Sequence, residues 1–177
     1  MRLAGEEAAE QPIAEVAWSS PHGYAALLAI LKQVGINHRR LLWYEPGDSP
    51  FLASNLDSEV SAELARPLMF RLTDVPSALR YLKPAGKGSV TLEVEDELIP
   101  ENRGPFRIEW SDGVVSLSAT EEAAVRAPIG AFTQAFLGHP CFADLVTHGR
   151  IAVQTEEELA AMNDLLPPCP VYCMEFF

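Results

Sequence analysis

The residues with the clearest chemical potential lie at the end of the chain. Residues 167–177 contain three prolines and close on the aromatic pair Phe176-Phe177. Most chain ends are polar and frayed, whereas two docked aromatic rings would bury a large apolar area. Docking would carry the α-carboxylate of Phe177 into the protein, and a carboxylate held in a cleft can orient or deprotonate an amine. The alternative is a last strand that seals the core and leaves this carboxylate at the surface.

The other reactive side chains do not form a recognisable catalytic or metal-binding pattern. The cysteines Cys141, Cys169 and Cys173 are odd in number, which argues against a disulfide framework. The histidines supply no obvious second ligand pair for zinc. His139 lies close to Cys141, but sequence neighbours rarely hold nucleophile-and-base geometry, and free cysteine usually packs inside the core. We therefore expect no metal site and no cofactor-binding residue in this chain.

Composition limits the classes of partner. The chain has 177 residues, 48% of them hydrophobic, and a formal net charge of −12. This length suits one domain or two small ones with a packed core. The negative charge disfavours nucleic acids and anionic membranes, because both require basic surfaces. The sequence has no apolar run long enough for a membrane span and no secretory signal at its acidic start, so we expect a soluble, cytoplasmic protein.

The first 75 residues predict a thin α/β fragment. Ser20 and Pro21 are typical of a helix start, and Gly35 of its end. Around this helix the pattern indicates, in order, a strand, a second strand, a short helix and a third strand: Ile13–Trp18, Arg40–Tyr44, Phe51–Leu56 and Leu68–Leu72. So few elements make a thin domain by themselves. We expect this part to need a partner, either the rest of the chain or another polypeptide.

The second half predicts an antiparallel sheet that is covered by helices. Apolar and polar residues alternate in three short segments, around Val90–Val94, Phe106–Trp110 and Val115–Leu117. Helices are expected from Val75 to Leu82, over Ile129–Leu137, over Phe142–His148 and from a capping box at Thr155. Between them, Asp96 is expected to begin a loop, and Arg71 is expected to pair with Asp74. The predicted fold class is therefore α+β.

The order of these elements resembles the Eis-like N-acetyltransferases of the GNAT family. The likeness is carried by residues 68–79, which resemble the junction between a second acetyltransferase-like domain and a sterol-carrier-protein-like domain. Residues 90–96 and 100–108 are similar to the first hairpin of the sterol-carrier-like domain. The helices at 129–138 and 145–150 and the aromatic end at Phe177 fit the same pattern. The resemblance implies a truncated acetyltransferase-like unit at residues 1–75 and a sterol-carrier-like domain at 76–177.

The resemblance also implies an activity and its missing parts. Such enzymes transfer acetyl from acetyl-coenzyme A to amines, and their C-terminal carboxylate, here that of Phe177, serves as the base for the amine. They hold the cofactor on a run like Arg/Gln-x-x-Gly-x-Gly/Ala, which is absent here; Gly86-Lys87-Gly88 is the nearest glycine pair and indicates a turn before a strand. We therefore expect no activity from this chain alone, a separate acetyltransferase domain or upstream polypeptide as partner, and homo-oligomers.

Two functions stay open at this point. The chain is either the substrate-side and assembly part of such an enzyme or a stand-alone module that binds a fatty acid or sterol. In the second case, six apolar side chains would line a tunnel between the sheet and its helices: Phe132, Phe136, Leu137, Leu145, Leu159 and Met162. The alternative for these six residues is that they simply fill the core.

Overall fold

The computed structural model describes residues 10–45, 49, 51–55, 60–63 and 69–171. These residues divide into two compact units, the first drawn from residues up to 58 and the second from residues 59–171. The division into domains 1–75 and 76–177 stays a prediction. In the described part of the chain, no helix has both the length and the apolar character that crossing a membrane would require.

Unit 1 contains two short strands and two helices. Its elements are β1 (Glu10–Pro12), α1 (Pro21–Gly35), β2 (Arg40–Leu42) and α2 (Phe51–Ser54). Helix α1 begins as predicted, because the Ser20 hydroxyl accepts a hydrogen bond from the Gly23 N–H at 3.1 Å. Strands β1 and β2 pair in parallel, with Glu10 opposite Arg40.

Two strand predictions in the first part of the chain are wrong. Residues 13–18 form no strand: the Ile13 N–H donates to the Leu42 carbonyl at 2.7 Å, and β2 ends there, so the ladder has no further partner residue. The described residues 69–72 form no strand either. Met69 is fully exposed, and the Leu72 N–H donates to the Thr133 hydroxyl at 3.2 Å instead of a strand carbonyl.

Unit 2 is an α+β unit built on a mixed sheet, which confirms the predicted fold class. Its elements are α3 (Val75–Tyr81), β3 (Lys87–Glu95), a 3₁₀ turn (Pro100–Asn102), β4 (Phe106–Ser111), β5 (Val114–Ala119), β6 (Val125–Pro128), α4 (Ile129–Leu137), α5 (Phe142–Thr147), β7 (Ala152–Val153) and α6 (Glu156–Leu165). The strand order of the sheet is β5-β4-β3-β6-β7. The order places β3 at the centre of the sheet.

The sheet is larger than predicted. Strands β3, β4 and β5 form the expected antiparallel set, but β6 adds in parallel to β3, and β7 adds antiparallel to β6. Strand β6 has four residues, with Val125 and Ala127 buried between exposed neighbours, and it leads directly into α4. Such a short alternation beside a longer helix pattern gives little sequence signal of its own.

The core of unit 2 lies between one sheet face and the helices. Alternate residues of β3 and β4 are buried, as the period of a strand requires: Val90, Leu92, Val94, Ile108 and Trp110. They share one core cluster with Phe132, Phe142 and Met162 of the three later helices. Helix α6 begins at the predicted capping box, where the Glu158 N–H donates to the Thr155 hydroxyl.

Candidate functional site

The described part of the C-terminal tail is fastened to the end of α4. Beyond α6, Pro167–Pro170 are exposed, and the Cys169 N–H donates to the Gly138 carbonyl at 3.2 Å. Gly138 has a positive φ of 92°, and a Cβ on it would lie 2.5 Å from the Cys169 nitrogen. Only glycine therefore permits both the turn after α4 and the close approach of the tail.

The residue on which the functional prediction depends lies beyond this anchor. Residues 172–177, with Cys173 and Phe177, are outside the described residues. The role of the Phe177 carboxylate therefore stays a prediction. Val171, the last described residue, is half-buried.

The most polar part of the interior of unit 2 is a network around Asp96. Its Oδ1 accepts hydrogen bonds from the Arg71 guanidinium at 2.6 Å and from the backbone N–H groups of Leu98 and Ile99 at 2.9 and 3.0 Å. Its Oδ2 accepts from the Asn102 side-chain amide at 2.9 Å. Asp96 is 2% exposed and Asn102 is fully buried. The carboxylate thus has charged and neutral donors on its two oxygens, as a buried charge requires.

These donors lower the pKa of Asp96. The hydrogen bond from Asn102 lowers it most, the backbone N–H groups of Ile99 and Leu98 and the charge of Arg71 add to this, and burial opposes them; together they hold the pKa at about 2, against an ordinary 3.8. Asp96 is therefore ionised at neutral pH. A carboxylate held so firmly in its charged form is a positioning group and not a general base.

The network corrects the predicted pairing of Arg71. Arg71 contacts Asp96 rather than Asp74, which caps α3 by accepting a hydrogen bond from the Ser77 N–H at 2.8 Å. That hydrogen bond also lowers the pKa of Asp74. Sequence reasoning placed Asp96 only at the start of a loop. The position of Asp96 directly after a strand pattern could have indicated its role. Aspartate at such a turn commonly accepts hydrogen bonds from the backbone N–H groups two and three residues further on.

Among the described residues, the other candidates from the sequence, a cysteine, a histidine and a glycine pair, do not form a common site. Cys141 is half-buried at the N-cap of α5, so the prediction that it is a buried core residue is wrong, and His139 is exposed. Gly88 lies within β3 and not at a helix start. Within the described ranges, no group of three or more His, Cys, Asp or Glu side chains is arranged to hold a metal ion.

Two surface clefts among the described residues of unit 2 have volumes of about 380 Å³ each. One lies beside α3 and is lined by residues that include Arg80, Glu101 and Phe106. The other lies where α6 ends and the C-terminal tail begins, and it is lined by residues that include Lys83 and Asp164. Both clefts combine charged and apolar side chains, and neither is an apolar tunnel.

The six side chains predicted to line a tunnel line neither cleft. Three of them are buried in the core cluster, two pack against that cluster, and the sixth is half-buried outside it: Phe132, Met162 and Leu145, then Phe136 and Leu159, then Leu137. This packing supports the alternative in which these residues fill the core.

Comparison with known families identifies the second part of the chain. Residues 75–174 match the family model described as a sterol carrier protein domain. The chain belongs to this family. The matched stretch begins at Val75, the first residue of α3, and includes the whole five-stranded sheet and the helices that cover it. No curated protein matches the chain.

Solved structures that include a GCN5-related N-acetyltransferase share the fold of the chain over nearly its whole length. Eis1 from Mycobacterium abscessus is similar with a TM-score of 0.77 at 19% identity, covering 97% of this chain and 44% of its own. A GCN5-related N-acetyltransferase from Kribbella flavida gives 0.70 at 20%, covering 94% and 43%. A protein of unknown function from Enterococcus faecalis V583, described as a probable N-acyltransferase, gives 0.71 at 21%, covering 96% and 43%.

At these identities the likeness shows the fold, which is that of a GNAT-like chain ending in a sterol-carrier-like domain. The chain spans less than half the length of each of these three structures.

Proposed function

We propose that this chain is the substrate-side and assembly part of an N-acetyltransferase that acts on amines. The proposal is supported by membership of the sterol carrier protein domain family and by the fold shared with the acetyltransferase structures. The chain matches only 43–44% of the length of those structures and has no glycine-rich pyrophosphate run. A further domain or an upstream polypeptide therefore supplies the acetyl-coenzyme A site.

The observation that carries the proposal is the anchor of the tail at Gly138. A base must lie within hydrogen-bond reach of the proton that it removes, so the segment that bears it needs a fixed starting point. The hydrogen bond from Cys169 to Gly138 gives the tail such a point just before its aromatic end. We infer that the Phe177 carboxylate reaches the acceptor amine across the boundary with the cofactor domain. An α-carboxyl group has an ordinary pKa of about 3.3–3.7, so it is charged at neutral pH.

The proposal includes an assembly and a location. Among the described residues, β1 and β2 of unit 1 pair only with each other, so each strand has one edge without a backbone hydrogen-bonding partner strand. Such open strand edges favour pairing with another chain. We therefore propose a homo-oligomer in which the missing cofactor domain also takes part, located in the cytoplasm.

The experiment that tests the proposal is acetylation by a reconstituted enzyme. The chain is co-expressed with a polypeptide that carries the acetyl-coenzyme A site, and turnover of a panel of amines is measured. Adding one glycine after Phe177 moves the carboxylate and should lower kcat by roughly 100-fold or more, the lower range for loss of a general base. The control Phe177→Leu keeps a carboxylate at the same position and should keep most of the turnover. Unchanged turnover of the extended chain would remove the proposed role of Phe177.

A separate titration distinguishes this function from that of an apolar-ligand module. The isolated chain is titrated with acetyl-coenzyme A and, in parallel, with a fluorescent fatty acid. We expect it to bind neither, because it lacks a pyrophosphate run and five of its six predicted tunnel residues belong to the core cluster or pack against it. Saturable binding of the fatty acid at micromolar concentration would instead favour the stand-alone module.

A further inference from the structure

In the Asp96 network, each hydrogen bond has a defined donor and acceptor, and the last donor in the series is the backbone N–H of Val75. The Val75 N–H donates to the Asn102 Oδ1 at 2.8 Å, so the carbonyl of the Asn102 side chain must face Val75. The amide NH₂ of Asn102 then faces Asp96 and donates to its Oδ2 at 2.9 Å. An amide side chain has one accepting and one donating end, so the two contacts depend on each other.

The charge on Asp96 selects this direction. An ionised carboxylate only accepts hydrogen bonds, so it can face the Asn102 NH₂. An asparagine in place of Asp96 has one oxygen and one NH₂, and both positions of the carboxylate oxygens face hydrogen-bond donors. Its NH₂ must therefore face donors in either orientation. If that NH₂ replaces Oδ1, it meets Arg71 and two backbone N–H groups; if it replaces Oδ2, it meets the NH₂ of Asn102. Reversing Asn102 to relieve the second conflict would place its NH₂ against the Val75 N–H.

The Val75 N–H belongs to the segment of unit 2 that leads into α3, residues 69–75, which we call the linking segment. This segment is held by side chains and not by a strand ladder. Arg71 binds Asp96, the Leu72 N–H donates to Thr133, and the Val75 N–H donates to Asn102. Val75 opens α3, where the first N–H groups have no partner within the helix and need one from outside.

We propose that the Asp96 carboxylate fastens the linking segment to the sheet and helices of unit 2. Loss of its charge while Asn102 is unchanged then releases residues 69–74 and the Val75 N–H, while the Val75 side chain and the sheet stay packed. Release is local because Met69 is fully exposed and Phe70 is 48% exposed, and of the apolar residues before Val75 only Leu72 packs against the core cluster. Val75 itself is fully buried, so its side chain holds the start of α3 in the core. The proposal is independent of any catalytic role of the chain.

The test is an exchange of the two side chains in the network. Asp96→Asn removes the charge, and Asn102→Asp places two carboxylates face to face, so each change alone should release the segment. The double variant restores an alternating order, because the amide introduced at position 96 donates to the carboxylate introduced at position 102. The second oxygen of that carboxylate accepts from the Val75 N–H. Glu97→Gln removes the charge of the exposed neighbouring carboxyl and serves as the matched control.

The readouts are hydrogen exchange at the Val75 and Leu72 amides and trypsin cleavage after Arg71, with exchange at Leu92 in the central strand as the measure of global unfolding. We expect each single variant to speed exchange at Val75 by about tenfold or more, as for a buried polar group that loses its partner. We expect the double variant to return to within about threefold of the unchanged protein, since coupled groups are non-additive.

Three outcomes would overturn the proposal. Asp96→Asn could leave Val75 exchange unchanged, or the double variant could be as open as the two single effects combined. The single variants could also speed exchange at Leu92 as much as at Val75, which would make the network a general support of the fold and not a local fastening.

Discussion

The indole ring of Trp110 covers Gly88, the residue directly opposite it on the neighbouring strand. A Cβ on Gly88 would lie 2.2 Å from Cζ2 of the ring, and Trp110 is only 4% exposed. The ring therefore occupies the space that a side chain on β3 would need. Glycine weakens a strand, but here it is required by the close approach of its neighbour.

Gly88→Ala should lower the free energy of unfolding by about 1–3 kcal/mol, because the ring must move within a packed core. Urea unfolding measures the change. Gly130→Ala is the control, since Gly130 lies in α4 with open space where a Cβ would be placed, and alanine there should be neutral or stabilising by up to about 1 kcal/mol. Equal losses for both variants would show that the Trp110 ring is not the cause.

Thr133 joins the linking segment to α4 through one hydroxyl. Its Oγ1 donates to the Ile129 carbonyl at 2.8 Å and accepts from the Leu72 N–H at 3.2 Å, and the residue is 3% exposed. Thr133→Val keeps the shape but leaves the Leu72 N–H without this acceptor, so it should destabilise the protein by about 1–3 kcal/mol. Thr133→Ser keeps the hydroxyl and should recover the Leu72 exchange rate. If the valine and serine variants exchange alike at Leu72, the hydroxyl has no such role.

Acid should weaken the protein through Asp96. The pKa of Asp96 is about 2 in the folded protein and 3.8 ordinarily, so the unfolded chain binds this proton more readily. The contribution of Asp96 to stability is therefore complete above about pH 4 and is lost as the pH falls toward 2. Two charged groups contact Asp96: Arg71 donates to its carboxylate and Arg103 donates to its backbone carbonyl. Both arginines stay charged in this pH range, so they do not add a titration of their own.

The measurement compares urea unfolding of the unchanged protein and Asp96→Asn from about pH 6 to about pH 2. The unchanged protein should lose more stability in the lower half of this range than the variant, because only its position 96 takes up a proton. The pKa of Asp74 is also lowered, and the Ser77 hydrogen bond that lowers it lies at the segment that Asp96→Asn releases. Both proteins are therefore compared with Asp74→Asn added, which removes this second titrating group. Parallel pH profiles would contradict the prediction.

The anchor of the tail can be tested by a single methyl group. Gly138→Ala places a Cβ against Cys169 and should displace the tail, so we expect faster proteolysis after residue 169 and lower turnover in the reconstituted enzyme. Gly149→Ala is the matched control. Gly149 also has a positive φ, 66°, but nothing lies within 4 Å of the place that its Cβ would take. Both substitutions force alanine into a positive φ, so a tail effect in both would point to backbone strain and not to the contact with Cys169.

The sequence predicted the elements whose ends carry side-chain signals. Helix α1 runs from the Ser20 cap to Gly35, and α6 begins after Thr155, both as expected. The alternation of apolar and polar residues also predicted β3, β4 and β5 correctly, because each of these strands turns one face toward the core. These signals are local, so they survive without knowledge of the rest of the fold.

The errors fall where distant residues decide the structure. In the range 68–72, where a strand was expected, Arg71 and Leu72 instead contact Asp96 and Thr133, which lie far along the chain. Strand β6 is defined by its pairing with β3, and its four residues carry too short a pattern to be recognised alone. The partner of Arg71 was missed for the same reason: Asp74 is near in sequence, whereas Asp96 is near in space.

The two unlike neighbours of β3 set an order of events during folding. Its antiparallel partner β4 follows after a short connection, whereas its parallel partner β6 arrives only after β5 has been made. Closing the longer loop costs more chain entropy, so we expect amides of β4 to become protected before those of β6 in pulse-labelled refolding, and the reverse order would refute this. Until β6 arrives, the central strand presents an open edge, which makes this interval the one in which a nascent chain is most exposed to mispairing with its copies.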